Sequence, residues 1–140
     1  PIHVPDRPFA NAVVCTAFSV YHKEYTDICA DIIVSLFRQC NDFRRFGACA
    51  PELCYLAMGR PELDVEYMLG PWDFAAASLV VTEAGGIISD LHGQPLSYLE
   101  HKGVIAANSE ENFQKLLETV QGRMSLTSSP SSRGEGSNGL

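Results

Sequence analysis

The 140-residue sequence predicts an α/β fold, a layered sheet flanked by helices, on three observations. Short apolar runs rich in β-formers alternate with longer stretches whose apolar residues recur every three to four positions. Gly and Pro punctuate most of the junctions between them. The composition, 46% hydrophobic and 19% charged, is that of a folded chain long enough for one modest domain.

Ala12 to Phe18 is a short run that suits a strand buried on both faces. From His22 to Gln39 the residues Tyr25, Ile28, Cys29, Ile32, Ile33, Leu36 and Phe37 recur at helical spacing and predict a long amphipathic helix. Asp42 to Phe46 predicts a short strand closed by Gly47. A second helix is expected from Ala50 to Met58, with Pro51 in its first turn and Gly59 as its stop. Leu63 to Leu69 predicts a strand, and Gly70-Pro71 opens a third helix that runs to Ala84 and ends at Gly85-Gly86. Two more strands, Ile87 to Leu91 and Gly103 to Ala107, flank a turn at His92-Gly93-Gln94-Pro95. A last helix, Glu110 to Val120, follows Ser109 as its N-cap. Residues 1–121 are then the domain, and the Ser/Gly/Pro-rich residues 122–140 are expected to be a disordered tail.

The net charge of −7 argues against a nucleic-acid or anionic-membrane surface, which needs clustered Lys and Arg. Five cysteines, an odd number without a Cys-x-x-Cys pair, argue against a disulfide framework and a structural zinc. They fit a reducing, cytoplasmic compartment. No apolar run reaches membrane-span length, and no signal peptide precedes the first strand. The chain begins at Pro1 and enters a strand almost at once, which leads to the expectation that it is the remainder of a longer protein.

Three features between Arg45 and Asp90 carry chemistry. Asp73 stands in the first turn of the third helix. Its carboxylate complements the helix dipole there, or, beside the C-terminal edge of a sheet, binds a hard cation through oxygen. Gly47-Ala48-Cys49-Ala50 is a run of small residues between a strand and a helix. It is a tight turn for close packing, or a backbone cradle for an anionic or hydroxylated ligand. Glu66 lies on the strand leading to Asp73, where it is either a solvated strand carboxylate or a partner of Asp73 across one loop.

Together these residues resemble the C-terminal part of the inositol monophosphatase family. The signature reads Trp72-Asp73-Phe74-Ala75-Ala76-Ala77, then Glu83-Ala84-Gly85-Gly86. Upstream lie Arg45-Phe46-Gly47-Ala48-Cys49-Ala50 and Leu53-Cys54-Tyr55-Leu56-Ala57-Met58-Gly59-Arg60; downstream lie Ile88-Ser89-Asp90 and Val104-Ile105-Ala106-Ala107-Asn108. Ser19-Val20-Tyr21-His22-Lys23-Glu24 is similar to bacterial members. The resemblance implies the C-terminal half of a layered αβαβα fold with a mixed sheet. It also implies Mg²⁺-dependent hydrolysis of a phosphate monoester by metal-activated water, on an inositol phosphate or a related small sugar phosphate.

Residue by residue, the resemblance implies that Asp73 is the catalytic Mg²⁺ ligand and that Glu66 contacts substrate hydroxyls. Gly47, Ala48 and Cys49 would contact the substrate through their backbone. Ala48 stands where the family carries Ser or Thr, so a side-chain contact is lost and substrate preference is open. Adenosine 3′,5′-bisphosphate, fructose 1,6-bisphosphate and histidinol phosphate are the alternatives. Glu83 and Gly85-Gly86 end the helix. The family's Asp-Pro-Ile/Leu-Asp-Gly-Thr/Ser metal segment is absent, since none of Asp6, Asp27, Asp31, Asp42, Asp64, Asp73 and Asp90 has those neighbours. The isolated chain is therefore expected to be inactive, with the missing N-terminal half supplied in cis or trans and a homodimer as the family's habit. The competing expectation is a non-catalytic fragment or interaction module. His3, His92 and His101 are read as turn or terminal residues, and His22 as a surface or capping residue.

Overall fold

The computed structural model describes residues 1–128. Strands β1 (Val13–Thr16), β2 (Asp42–Arg44), β3 (Leu63–Leu69), β4 (Ile87–Ser89) and β5 (Lys102–Ala107) form one sheet in the order β2-β1-β3-β5-β4. β1 runs parallel to β2 and β3, whereas β5 is antiparallel to β3 and β4. The fold is therefore the expected α/β layered mixed sheet.

Helices α1 (Thr26–Phe37) and α4 (Glu110–Ser128) cover one face, around a core that includes Val14, Ile32, Leu36, Leu63, Ile105 and Leu116. Helices α2 (Cys49–Ala57) and α3 (Pro71–Glu83) cover the other, around Leu53, Leu56, Phe74, Val81, Val104 and Ala106. Side chains alternate across a strand. Along β3, Leu63 and Val65 enter the first core, and Asp64 and Glu66 are left to face α2 and α3. All four are buried. A polar residue on that inner face must find a partner or a proton.

Several boundaries differ from the expectation. The long first helix is divided: Lys23–Tyr25 is a 3₁₀ turn, and the α-helix starts only at Thr26. Phe37 was expected on the buried stripe but is half exposed, stacking edge-on against Phe43 with ring centroids 6.0 Å apart. β4 stops at Ser89 because the Asp90 carboxylate accepts the His92 and Gln94 N–H groups at 2.8 and 2.9 Å, folding the chain into a turn.

Residues 122–128, assigned above to the tail, belong to α4. Met124 packs against the core and Arg123 lies 3.6 Å from Asp31 of α1, so tertiary contact outweighs the coil-favouring composition. The remainder of the expected tail, residues 129–140, lies outside the described residues. No helix among those described is long and apolar enough to cross a membrane.

Candidate active site

The loops leaving the C-terminal ends of β1, β2 and β3 enclose a cleft of about 330 Å³. Open sheets place ligands at such a parallel-strand edge, where successive connections depart to opposite faces. Ala17 to His22 forms one wall, and Arg45 with Gly47, Ala48 and Cys49 forms the second. Glu66, Met68 to Gly70, Trp72 and Asp73 form the third. All five residues singled out from the sequence, Gly47, Ala48, Cys49, Glu66 and Asp73, thus meet at one site.

The helix-capping reading of Asp73 is met by the structure. Its backbone N–H donates to the Gly70 carbonyl at 2.9 Å, and its Oδ2 accepts the Gly70 N–H at 3.0 Å, closing the first turn of α3. Pro71 fits that turn because it has no N–H to lose. No donor among the described residues binds the second oxygen of Asp73, which is available to a ligand in the cleft.

The turn before α2 departs from the expectation in one respect. Gly47 adopts φ +88°, the left-handed conformation that glycine tolerates without strain. Its N–H does not face the cleft: it donates to Glu52 Oε1 at 3.0 Å, beside the Phe46 N–H at 2.7 Å. The free donors are those of the first turn of α2, at Cys49 and Ala50, which have no intrahelical acceptor. The Cys49 thiol is buried, and burial together with the nearby carboxyls pushes it up; Cys15 behaves likewise. Both thiols stay protonated and act as small hydrophobes. None of the five cysteines forms a disulfide.

Glu66 is not a solvated strand carboxylate. It is 6% exposed, and burial, followed by the charge of Glu52, pushes its carboxyl up to about 8. Arg45 acts in the opposite direction. A carboxyl poised near neutrality can donate as well as accept a hydrogen bond.

Sequence reasoning missed the other charged and aromatic groups of the cleft. His22 lines it, with its ring 3.2 Å from Glu24. His101 also lines it and meets the exposed Trp72 edge-on at 5.3 Å between ring centroids. His22 has only Glu24 as a local partner, which reads as a surface pair, and His101 meets Trp72 from 29 positions away, so neither is revealed by local pattern. Arg45 was legible, because a cation next to a glycine turn in an acidic chain invites an anion.

A magnesium ion is poorly served by these residues alone. Among those described, no group of three or more His, Cys, Asp or Glu side chains could hold a metal, and Mg²⁺ requires near-octahedral oxygen coordination. Asp73 offers one ligand, not a site.

The model of the inositol monophosphatase family matches residues 1–125. The chain belongs to the inositol monophosphatase family. Curated relatives within it include the Nus factor SuhB of Salmonella typhimurium, 41% identical over 102 residues, which are 73% of this chain and 38% of that protein. The Vibrio cholerae Nus factor SuhB is 36% identical over 117 residues, 84% of this chain and 43% of that protein. Among solved structures, the extragenic suppressor protein suhB of Bartonella henselae superimposes with a TM-score of 0.77 at 29% identity, covering 86% of this chain and 45% of that one. An inositol monophosphatase from Anabaena gives the same score at 25% identity, covering 87% and 48%. The chain therefore spans less than half the length of these inositol monophosphatase relatives.

Proposed function

We propose that this chain is part of a Mg²⁺-dependent phosphate-monoester hydrolase acting on an inositol monophosphate or a related small sugar phosphate in the cytoplasm. The observation that carries the reading is the meeting of Asp73, Glu66 and the Gly47–Cys49 turn in one cleft at the strands' C-terminal edge. Asp73 would hold the ion through its second oxygen, and the remaining ligands would come from outside the described residues. When bound, the ion supplies Lewis acidity and an acidified water. The chain's own residues bind and orient: the α2 N-terminus and Arg45 attract the substrate's anionic and hydroxyl groups, and Glu66 engages a hydroxyl. With no hydroxyl on Ala48, contact at that turn is made through the backbone.

The test is Mg²⁺-dependent release of phosphate by the longer protein that carries this segment, against a panel of inositol, sugar and nucleotide phosphates. Asp73→Asn is expected to reduce turnover about 100-fold or more, while α3 stays capped because the amide oxygen can still accept from Gly70. Full turnover by that variant would refute the assignment. The 140-residue chain alone is expected to show negligible turnover, and robust magnesium-dependent activity from it would contradict the incomplete site.

A second reading is favoured by the relatives known as Nus factor SuhB, a name that is not that of a phosphatase. Under it, the chain serves as an interaction module, with exposed Trp72, Tyr21 and Leu99 as its contact residues. A longer protein that is inactive on every phosphate of the panel would leave this reading standing.

A further inference from the structure

The cleft is acidic in its depth, where Glu66 is buried and Asp73 half-buried, and aromatic at its mouth, where Trp72, Tyr21 and Phe18 are exposed. A single exposed apolar side chain is ordinary. Trp72 differs because it is held. The benzene half of its indole lies against Gly70, where a Cβ would collide with the indole Cε2 and Cζ2. His101, from the β4–β5 connection, meets the ring edge-on at 5.3 Å between centroids.

The backbone of Gly70, at φ −79° and ψ 154°, is open to any residue, so glycine serves there for close approach and not for conformational freedom. Its N–H is also the donor to Asp73 Oδ2 at 3.0 Å. One glycine therefore sets both the indole and the carboxylate of the neighbouring residue, and a ring that is 76% exposed is kept from sampling other rotamers. An ordered, solvent-facing ring loses little further entropy when a flat group covers it.

The chemistry of such a group follows from the division of the cleft. A polyol seeks hydrogen-bond partners all round its ring, and the mouth offers it mainly rings, with no hydroxyl on Ala48. A nucleotide is divided as the cleft is, with phosphate and ribose hydroxyls at one end and a planar π-face at the other.

We propose that Trp72 is a specificity-determining residue whose indole, held by Gly70 and His101, stacks the base of a nucleoside monophosphate while the phosphate and sugar enter the cleft. Turnover of such a substrate rests on the phosphatase reading, whereas the stacking does not. Every base has a π-face, so the platform tolerates different bases.

The experiment uses the longer protein that carries this segment and has two arms that fail independently. In the first, Trp72 emission is isolated as the difference between the wild type and Trp72→Phe, and is read on mixing with Mg²⁺ and ligand. Adenosine 5′-monophosphate should quench it, and ribose 5-phosphate or inositol monophosphate at equal concentration should not. Acrylamide should reach the indole in the free protein, and adenosine 5′-monophosphate should shield it. Equal responses to adenosine 5′-monophosphate and ribose 5-phosphate overturn the proposal. So does an indole that acrylamide does not reach, because the rest of the chain then covers it. The second arm is the ratio of kcat/KM for adenosine 5′-monophosphate to that for ribose 5-phosphate. Trp72→Leu should lower this ratio about tenfold, and Trp72→Phe should keep it within about threefold. Gly70→Ala retains the tryptophan and the N–H to Asp73 but displaces the indole, so it should lower the ratio in the same direction. A ratio unchanged in both Trp72→Leu and Gly70→Ala overturns the specificity role. A wild type inactive on every phosphate sinks the phosphatase reading and leaves the first arm to decide on the stacking.

Discussion

Glu62 and Asp64 stand two residues apart at the start of β3, both fully buried, and their surroundings are opposite. Glu62 anchors a complete network. One oxygen pairs with the Arg7 guanidinium, and the other accepts the Val13 N–H at 2.7 Å. Around them Asn108 donates to the Pro5 and Arg7 carbonyls at 2.8 and 3.1 Å, and Asn112 donates to the Arg7 carbonyl and to Asn108 Oδ1, both at 2.7 Å. This network ties the N-terminal segment to the body of the fold. Asp64, with Glu52 and Glu66, forms the incomplete network beneath the cleft, where two carboxyls hold three orphaned oxygens. Burial is the same at both positions, and the supply of donors differs. Complete networks lock structure, whereas incomplete ones hold protons and perturbed acidity where a ligand is to arrive.

The largest expected effect breaks the complete network. Glu62→Ala strands the Val13 N–H, empties a buried site and frees Arg7. About 3 kcal/mol of destabilisation is expected, toward the lower end for a buried pair because the Arg7 side chain is 45% exposed and water takes up its charge. A shift in the urea midpoint with an unchanged slope measures it. A variant as stable as the wild type would show that the network is ornamental. Next in size is Asn112→Asp, which turns a donor into an anion facing the Arg7 carbonyl and Asn108 Oδ1. That should cost about 2 kcal/mol and expose the N-terminal segment to early proteolysis.

Much of this contrast was legible in the sequence, and the unread part has a physical cause. The existence of each strand and helix from β1 to α4 follows from apolar runs, helical spacing and Gly/Pro punctuation, although β2 is largely exposed and carries little apolar signal. The 3₁₀ turn at Lys23–Tyr25 and the extension of α4 to Ser128 were not legible, since local composition does not report tertiary contact. At the candidate site, the spacing of Asp73, Glu66 and the Gly47 turn left both a structural and a functional reading open, and the resemblance to the family joined them into one site. The burial of Glu66 was not legible, although strand alternation puts residues 64 and 66 on one face, and two acids there beside the Glu52 helix were a readable warning. The partners of Glu62 lie in the N-terminal segment, β1 and the β5–α4 junction. No local pattern connects Arg7, Val13 and Asn108 before the sheet brings them together.

The smallest expected effect carries the opposite sign and sharpens the comparison most. Replacing an amide by an acid harms the complete network at Asn112; replacing an acid by an amide should help the incomplete one at Asp64. In the folded chain Glu66 titrates at about 8, and Asp64 is also raised, so the folded state holds protons that the unfolded chain releases from about pH 4.5 upward. The protonated cluster's stabilisation is fully present below the unfolded carboxyl range. It is lost as pH rises through the folded value, so wild-type stability should fall between about pH 4.5 and 8. Asp64→Asn removes one of those titrations and replaces a buried acid by a neutral amide. It should be more stable than the wild type by about 1–2 kcal/mol at pH 8, with a shallower decline, and near parity at pH 4. Thermal melts of both proteins at the two pH values measure the difference. A wild type whose stability is flat across that window, or an Asp64→Asn protein destabilised at pH 8, would mean that the cluster has a donor after all and that Glu62 and Asp64 are alike in their surroundings.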